Sequence, residues 1–247
     1  MWPYPRILAH RGGGTLAPEN TVAGLRCGMA AGFRAIEFDV MLARDGVPVV
    51  LHDPYLGRTV DGSGAISDYD SVELAAMDAG AWFSAAHAGE PVPCFVPFAQ
   101  FCKANGIWMN IEIKPVPGQE TATGSTVARL AAALFADQLG TPEAPLLSSF
   151  SMAALAAARD AAPQLARACL FDRLPPDWQA QARSLGAVAI HASHKHLSAT
   201  SAAAITAAGF GLLCYTVNNP TRARTLRAWG VDCLCTDRLD LLPPDFA

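Results

Sequence analysis

The chain has 247 residues, 51% of them hydrophobic and only 16% charged, with a formal net charge of -4. That length is close to the roughly 250 residues of one α/β barrel, and the apolar content can fill a sizeable core. The absence of any block of Lys or Arg argues against a nucleic-acid or anionic-membrane surface, and a small anionic substrate would need a local positive site.

From the N-terminus, Met1-Trp2-Pro3-Tyr4-Pro5 leads to a polar motif by His10. It leaves no room for a signal peptide's charged start and apolar middle, so a cytoplasmic chain is expected. Short apolar, β-branched-rich runs follow at 6–10, 35–40, 108–114, 145–150, 166–171, 187–191, 211–217 and 232–237. Between most of them lie Ala-rich stretches of helical spacing, at 21–31, 126–138, 151–161, 198–208 and 220–229. This is the β-then-α alternation of a parallel sheet, and eight such units favour a TIM (β/α)8 barrel. A single domain over 1–247 is expected, interrupted once, in the long gap between the second and third runs.

That gap opens with Val47-Pro48-Val49-Val50-Leu51-His52, separated from the second run only by Arg44-Asp45-Gly46. A parallel partner needs a crossover of about a dozen residues or more, whereas Asp-Gly is a two-residue hairpin turn. The segment should therefore run antiparallel, with Arg44 opposite Val47 and Asp39 opposite His52. The stretch at about 54–93 is then a small insertion after strand two, placed to cover the barrel mouth. Residues 197–221 carry no charged side chain, but Gly209-Phe210-Gly211 and several Ser, Thr and Asn interrupt them. A surface helix followed by a buried strand fits better than a membrane span. The seven cysteines are scattered without a C-x-x-C pair and read as reduced thiols; Cys233 and Cys235, on one strand face, read as buried packing.

In such barrels chemistry sits at the C-terminal ends of strands, where this chain places His10-Arg11, Glu37 with Asp39, and Glu112 with Lys114. His191, Tyr215 and Asp237 end later runs. Glu37, Asp39 and Glu112 offer oxygen ligands only, which suits Mg2+ or Ca2+, and three acids in one mouth would repel unless a cation sat among them. The plainer reading pairs each acid with a neighbouring Arg or Lys. His10 and His52 beside such a site form a general acid and general base pair for phosphodiester cleavage. Arg11 and Lys114 are placed to neutralise phosphate oxygens. Gly12-Gly13-Gly14 matches neither a dinucleotide fingerprint nor a P-loop, Asn20 or Thr21 reads as a helix cap, and no G-x-S-x-G points to a serine nucleophile. Two alternatives stay open: a Schiff-base aldolase using Lys114, and a barrel that binds phosphodiesters without turning them over.

The chain resembles the glycerophosphodiester phosphodiesterase family, and is close to its cytosolic bacterial members. The resemblance rests on Ala9-His10-Arg11-Gly12 with Ala17-Pro18-Glu19-Asn20-Thr21, Ile36-Glu37-Phe38-Asp39-Val40, Leu51-His52-Asp53 and Asn110-Ile111-Glu112-Ile113-Lys114-Pro115. It continues through Leu147-Ser148-Ser149-Phe150, Ile190-His191, Tyr215-Thr216-Val217-Asn218 and Cys235-Thr236-Asp237, so that it spans nearly the whole chain in order. It implies a barrel with a small insertion after strand two, and divalent-metal-dependent hydrolysis of glycerophosphodiesters to sn-glycerol 3-phosphate and an alcohol. It also implies metal ligands at Glu37, Asp39 and Glu112, catalytic histidines at His10 and His52, and phosphate contacts at Arg11 and Lys114. Phe150, His191 and Tyr215 are pocket candidates; many relatives carry Trp where this chain has Tyr215. The partner expected is a small glycerophosphodiester, with neither nucleic acid nor stable membrane association.

Overall fold

The computed structural model describes residues 2–246. In chain order its strands are β1 (Ile7–His10), β2 (Ala35–Leu42), β3 (Pro48–Val50), β4 (Trp108–Ile113), β5 (Leu146–Ser149), β6 (Ala166–Phe171), β7 (Ala189–Ser193), β8 (Gly211–Tyr215) and β9 (Cys233–Thr236). Eight of these, all but β3, pair in parallel, and the pairing of β1 with both β9 and β2 closes them into a barrel. The helices are α1 (Val22–Ala30), α2 (Ser71–Ala75), α3 (Phe95–Ala104), α4 (Glu120–Leu134), α5 (Met152–Ala161), α6 (Trp178–Ser184), α7 (Ala199–Ala207) and α8 (Pro220–Ala228).

The apolar runs become strands buried along their whole length in β2, β4, β5, β7 and β9. One face of each strand meets the helices and the other fills the barrel, so continuous hydrophobicity replaces alternation. Helix starts are set by side-chain caps: the oxygens of Thr21, Ser151, Ser198 and Asn219 accept N–H bonds from Gly24, Ala154, Ser201 and Arg222. After α7 and α8, Gly209 and Gly230 at φ of +87° and +86° turn the chain into the next strand. The barrel floor is apolar: Leu8, Ala35, Trp108, Leu146, Ala168, Ala189, Leu213 and Cys233 cluster with Trp2 and Tyr4. Tyr4 lies 5.0 Å from Trp2 and 5.1 Å from Trp108, ring to ring, which plugs that end and leaves the opposite rim for polar groups.

The β2–β3 hairpin corrects the expected register. Val40 faces Val50, Met41 faces Val49 and Leu42 faces Pro48, while the Ala43 N–H donates to the Val47 carbonyl at 3.0 Å. The loop therefore holds Arg44, Asp45 and Gly46, with Gly46 at φ +77°, the three-residue hairpin with a left-handed last position. Arg44 is drawn out of the ladder by Asp70 and Glu73, and its own N–H donates to Tyr69. A one-residue slip moves every side chain to the other face, so Asp39 and His52 are not a cross-strand pair. β3 ends at Val50, and His52 reaches the mouth from the loop beyond it.

Residues 54–93 contribute no barrel strand. They form α2 and the isolated bridges Tyr55–Ala65 and Asp78–Pro91, and pack Val60, Ile66, Leu74, Ala79 and Val92 against Met41, Val49, Leu51 and Val116. The uncharged stretch 197–221 becomes α7 and β8, and no helix among the described residues is long and apolar enough to cross a membrane.

Candidate active site

Strand register brings the acids together. In the parallel ladder His10 is level with Glu37, and Asp39 is level with Glu112, so two adjacent pairings place four of the expected residues around one point. The ligand oxygens of Glu37, Asp39 and Glu112 lie within 4.8 Å of one another, and all three residues are buried. The buried Glu37 Oε1 and Glu112 Oε1 have no hydrogen-bond partner. Orphaned carboxylate oxygens converging in this way, with no soft donor in the set, suit a hard divalent cation.

The two flanking cations are in place. Arg11 follows β1 in the left-handed region at φ +52°. Its Nε lies 3.6 Å from Asp39 and its Nη1 donates to Glu19 at 2.7 Å. Lys114 Nζ lies 3.5 Å from Asp39 and 3.9 Å from Glu112. Burial pushes the Asp39 carboxyl up, but Lys114, Arg11 and His52 outweigh it and hold the group down at about 2. The glutamates go the other way: burial, then the charge of Asp39, pushes Glu112 up to about 8, and burial with Asp39 and Glu112 raises Glu37 well above its usual range. Three acids without a cation among them cannot share full ionisation, and Asp39, which has the cationic partners, keeps its charge.

Both histidines are held at Nδ1 by a carboxylate: His10 by Asp237 at 2.5 Å and His52 by Asp53 at 2.6 Å. Each is therefore fixed with Nε2 free, and for His10 that atom lies 3.7 Å from Glu37. Burial, followed by the charges of Arg11 and Lys114 working against Asp39, lowers the proton affinity of His52. Asp237 is fixed in turn by Asn218, whose amide donates to it at 2.8 Å. On the other side Glu19 accepts from both Arg11 and Arg58, and Arg58 Nε also donates to Asp53. A chain of charged contacts thus runs from Arg11 through the 54–93 segment to His52.

The pocket candidates separate. Phe150, 48% exposed just past β5, meets Tyr215 edge-on with ring centroids 5.9 Å apart. The Tyr215 hydroxyl is buried without a partner, and burial, Asp172 and Glu112 push its pKa up. His191 is not at the rim. β7 runs two residues further than the sequence suggests and places it, fully buried, inside the barrel. Burial lowers its pKa to about 3, and both ring nitrogens lack partners. It shares a cavity of about 30 Å³ with His10, Glu37, Glu112 and Tyr215. A larger cleft of about 570 Å³ opens beside it, lined by Asp172, Lys195, Tyr215, Asn218 and Asp237. Clefts of about 350 and 290 Å³ around Pro3 and Pro142, at the plugged end, bring no group of acids together.

Sequence reasoning leaves several site residues without a role. Asn20 is not a helix cap: Thr21 caps α1, and the Asn20 amide donates to Asp39 at 2.9 Å from a backbone at φ +57°. Asp53 and Asp237 were visible beside His52 and at the end of the last strand. Glu19 stood in a segment that carries the resemblance but was given no role, and Arg58 gave no signal, since its contacts join segments far apart in sequence.

Acids that need a cation among them, facing two positive side chains and two oriented imidazoles at a barrel mouth, define the class: a hydrolase of phosphate esters. Comparison with known proteins supplies the family. Residues 10–241 match the glycerophosphoryl diester phosphodiesterase family, and the chain belongs to it. It is 29% identical over 236 residues to a glycerophosphodiester phosphodiesterase of Caldanaerobacter subterraneus subsp. tengcongensis, covering 94% of this chain and 93% of that one. With a glycerophosphodiester phosphodiesterase of Bacillus subtilis it shares 27% identity over 96% of its own length and 85% of the relative's. Among solved structures, an Oleispira antarctica phosphodiesterase in complex with its product sn-glycerol 3-phosphate superposes with a TM-score of 0.88 at 31% identity, covering 98% of this chain and 96% of the other.

Proposed function

We propose that the enzyme hydrolyses glycerophosphodiesters with a small polar head group, such as glycerophosphocholine or glycerophosphoethanolamine, to sn-glycerol 3-phosphate and the free alcohol. The observation that carries this reading is the convergence of Glu37, Asp39 and Glu112, with orphaned oxygens on the two glutamates, between Arg11 and Lys114. The three carboxylates would hold Mg2+ or Ca2+, which supplies Lewis-acid activation of the phosphate when bound. Arg11, by its planar fork, and Lys114, as a point charge, neutralise the non-bridging oxygens as charge builds on phosphorus.

His10 and His52 move the protons, one taking a proton from the nucleophile and the other giving one to the leaving alkoxide. Asp237 and Asp53 keep each ring in the tautomer that leaves Nε2 facing the substrate. Burial lowers the proton affinity of His52, which favours its neutral, proton-accepting form. Tyr215 and Phe150 form a wall beside the roomier cleft, where the organic part of the substrate fits, and His191 lies under it. The scattered cysteines suit a reducing cytoplasm, where the product feeds glycerol phosphate into lipid and glycerol metabolism.

The test is release of glycerol phosphate from glycerophosphocholine. Chelation should abolish it and Mg2+ or Ca2+ restore it; undiminished turnover in excess chelator overturns the reading. The ion pairs of Lys114 with Asp39 and Glu112 suit a permanent cation better than a Schiff-base amine.

A further inference from the structure

The geometry points to a second cation site, for a thiophilic divalent ion such as zinc, formed by His10, Glu37 and Cys235. One donor atom from each of the three lies within 4.8 Å of the other two. Cys235 stands in β9 level with Leu8 of the neighbouring strand, two residues before Asp237 and so on the same face. That spacing couples the thiol to the imidazole's own support. Asp237 accepts a hydrogen bond from His10 Nδ1–H, which leaves the Nε2 lone pair on the side of Glu37 at 3.7 Å. A histidine that donates one nitrogen to a carboxylate and presents the other is the usual form of a zinc ligand.

The donor chemistry differs from that of the neighbouring acids. Glu37, Asp39 and Glu112 are oxygen throughout, whereas sulfur, nitrogen and oxygen together favour zinc over magnesium or calcium and leave a fourth position open. Two further observations mark the place as unsatisfied. Glu37 is 5% exposed with Oε1 lacking a partner, and His191, fully buried with both ring nitrogens unpartnered, lines the same cavity of about 30 Å³. On sequence alone Cys233 and Cys235 lack enough partners to hold a metal; folding brings His10 and Glu37 to Cys235 and removes that objection.

Binding exchanges the thiol proton, lost to solvent, for a sulfur–metal bond, with no change of oxidation state. The two sites share Glu37, and the thiophilic ion also takes His10 Nε2, so its occupancy removes a proposed proton-transfer group and a ligand of the hard cation together. The inhibition that follows rests on the proposed function; the site itself does not.

Cobalt(II) serves as the probe on the whole enzyme. Wild-type protein should show a near-ultraviolet thiolate-to-cobalt charge-transfer band, and Cys235→Ala should lack it. In the magnesium-supported assay, Cys235→Ala should retain turnover but need at least roughly tenfold more zinc for half-inhibition, the lower end of what even an outer partner of a metal ligand contributes. No band in the wild type, the same band in the variant, or equal zinc sensitivity of the two proteins overturns the proposal. An enzyme that binds cobalt through Cys235 yet never cleaves glycerophosphocholine would keep this site and sink the proposed function instead.

Discussion

His10 and His52 arrive at the mouth by different routes, one at the end of a strand and the other from a loop past a hairpin, yet each is held at Nδ1 by a carboxylate. On the proposed mechanism this divides the groups that act from those that position them. Replacing His10 or His52 by Ala should lower kcat by roughly 10²-fold or more, the share a proton-transfer group contributes. Near-normal turnover would return that histidine to a structural role. Asp237→Asn leaves the volume unchanged but no longer favours a proton on Nδ1, so kcat should fall roughly 10- to 100-fold, with KM little changed and a shifted pH profile. A merely structural Asp237 would instead lower the melting temperature and leave the profile in place. Glu37→Gln should weaken the affinity for Mg2+ or Ca2+, read by calorimetry, because an amide keeps one oxygen but loses the charge.

At the scale of elements, two turns make a contrasting pair. Gly46, at φ +77°, has nothing within 4 Å of where a Cβ would stand, so Gly46→Ala carries only the left-handed conformational cost of about 1 kcal/mol. Gly14, at φ +56°, is different, because a Cβ there collides with the Asp237 carbonyl, which also accepts the Thr15 N–H at 2.8 Å. Gly14→Ala should therefore lower both stability and turnover, and Gly46→Ala stability alone and by less; parallel melting and rate measurements on the two decide it. The same elements show what can be read without coordinates. The barrel strands were legible because each buried run ends in polar residues, and Glu37, Asp39 and Glu112 met because parallel register needs no turn chemistry to fix it. The hairpin was misread because Arg44-Asp45-Gly46 supports either a two- or a three-residue loop, and the choice is made by Arg44 reaching Asp70 and Glu73. Arg58, bonded to Glu19 and Asp53, was invisible since nothing local to it signals either partner.

Across the whole molecule, a chain with few charges places three of its acids in one buried cluster, and that choice sets its response to pH. Glu112 is pushed up to about 8 by burial and by Asp39, and Glu37 moves the same way. In the unfolded chain both titrate near about 4.3, so between that pH and about 8 these two groups hold more protons in the folded, metal-free protein, while buried His191, lowered to about 3, and His52, also lowered, hold fewer below about pH 6.5. The glutamates' contribution falls as pH rises through this window, and above about pH 6.5, where the histidines no longer offset it, stability falls with it. Asp39 runs opposite: held at about 2, it contributes stability that is complete above about 4 and lost only in strong acid. A divalent cation held as proposed would reverse the sign for the glutamates, because it would bind their ionised forms and displace the protons. Calorimetry at pH 7 in buffers of different ionisation heat should therefore show protons released on binding, and affinity should climb from about pH 6 to about pH 8. At about 100 times its Kd the ion adds about 2.7 kcal/mol, a rise in Tm on the order of 5–10 °C for a chain of this size. The metal-free Tm should decline from about pH 6.5 to about pH 8 while the metal-bound Tm holds or rises. Parallel curves with and without the ion would show that the carboxylates do not meet it.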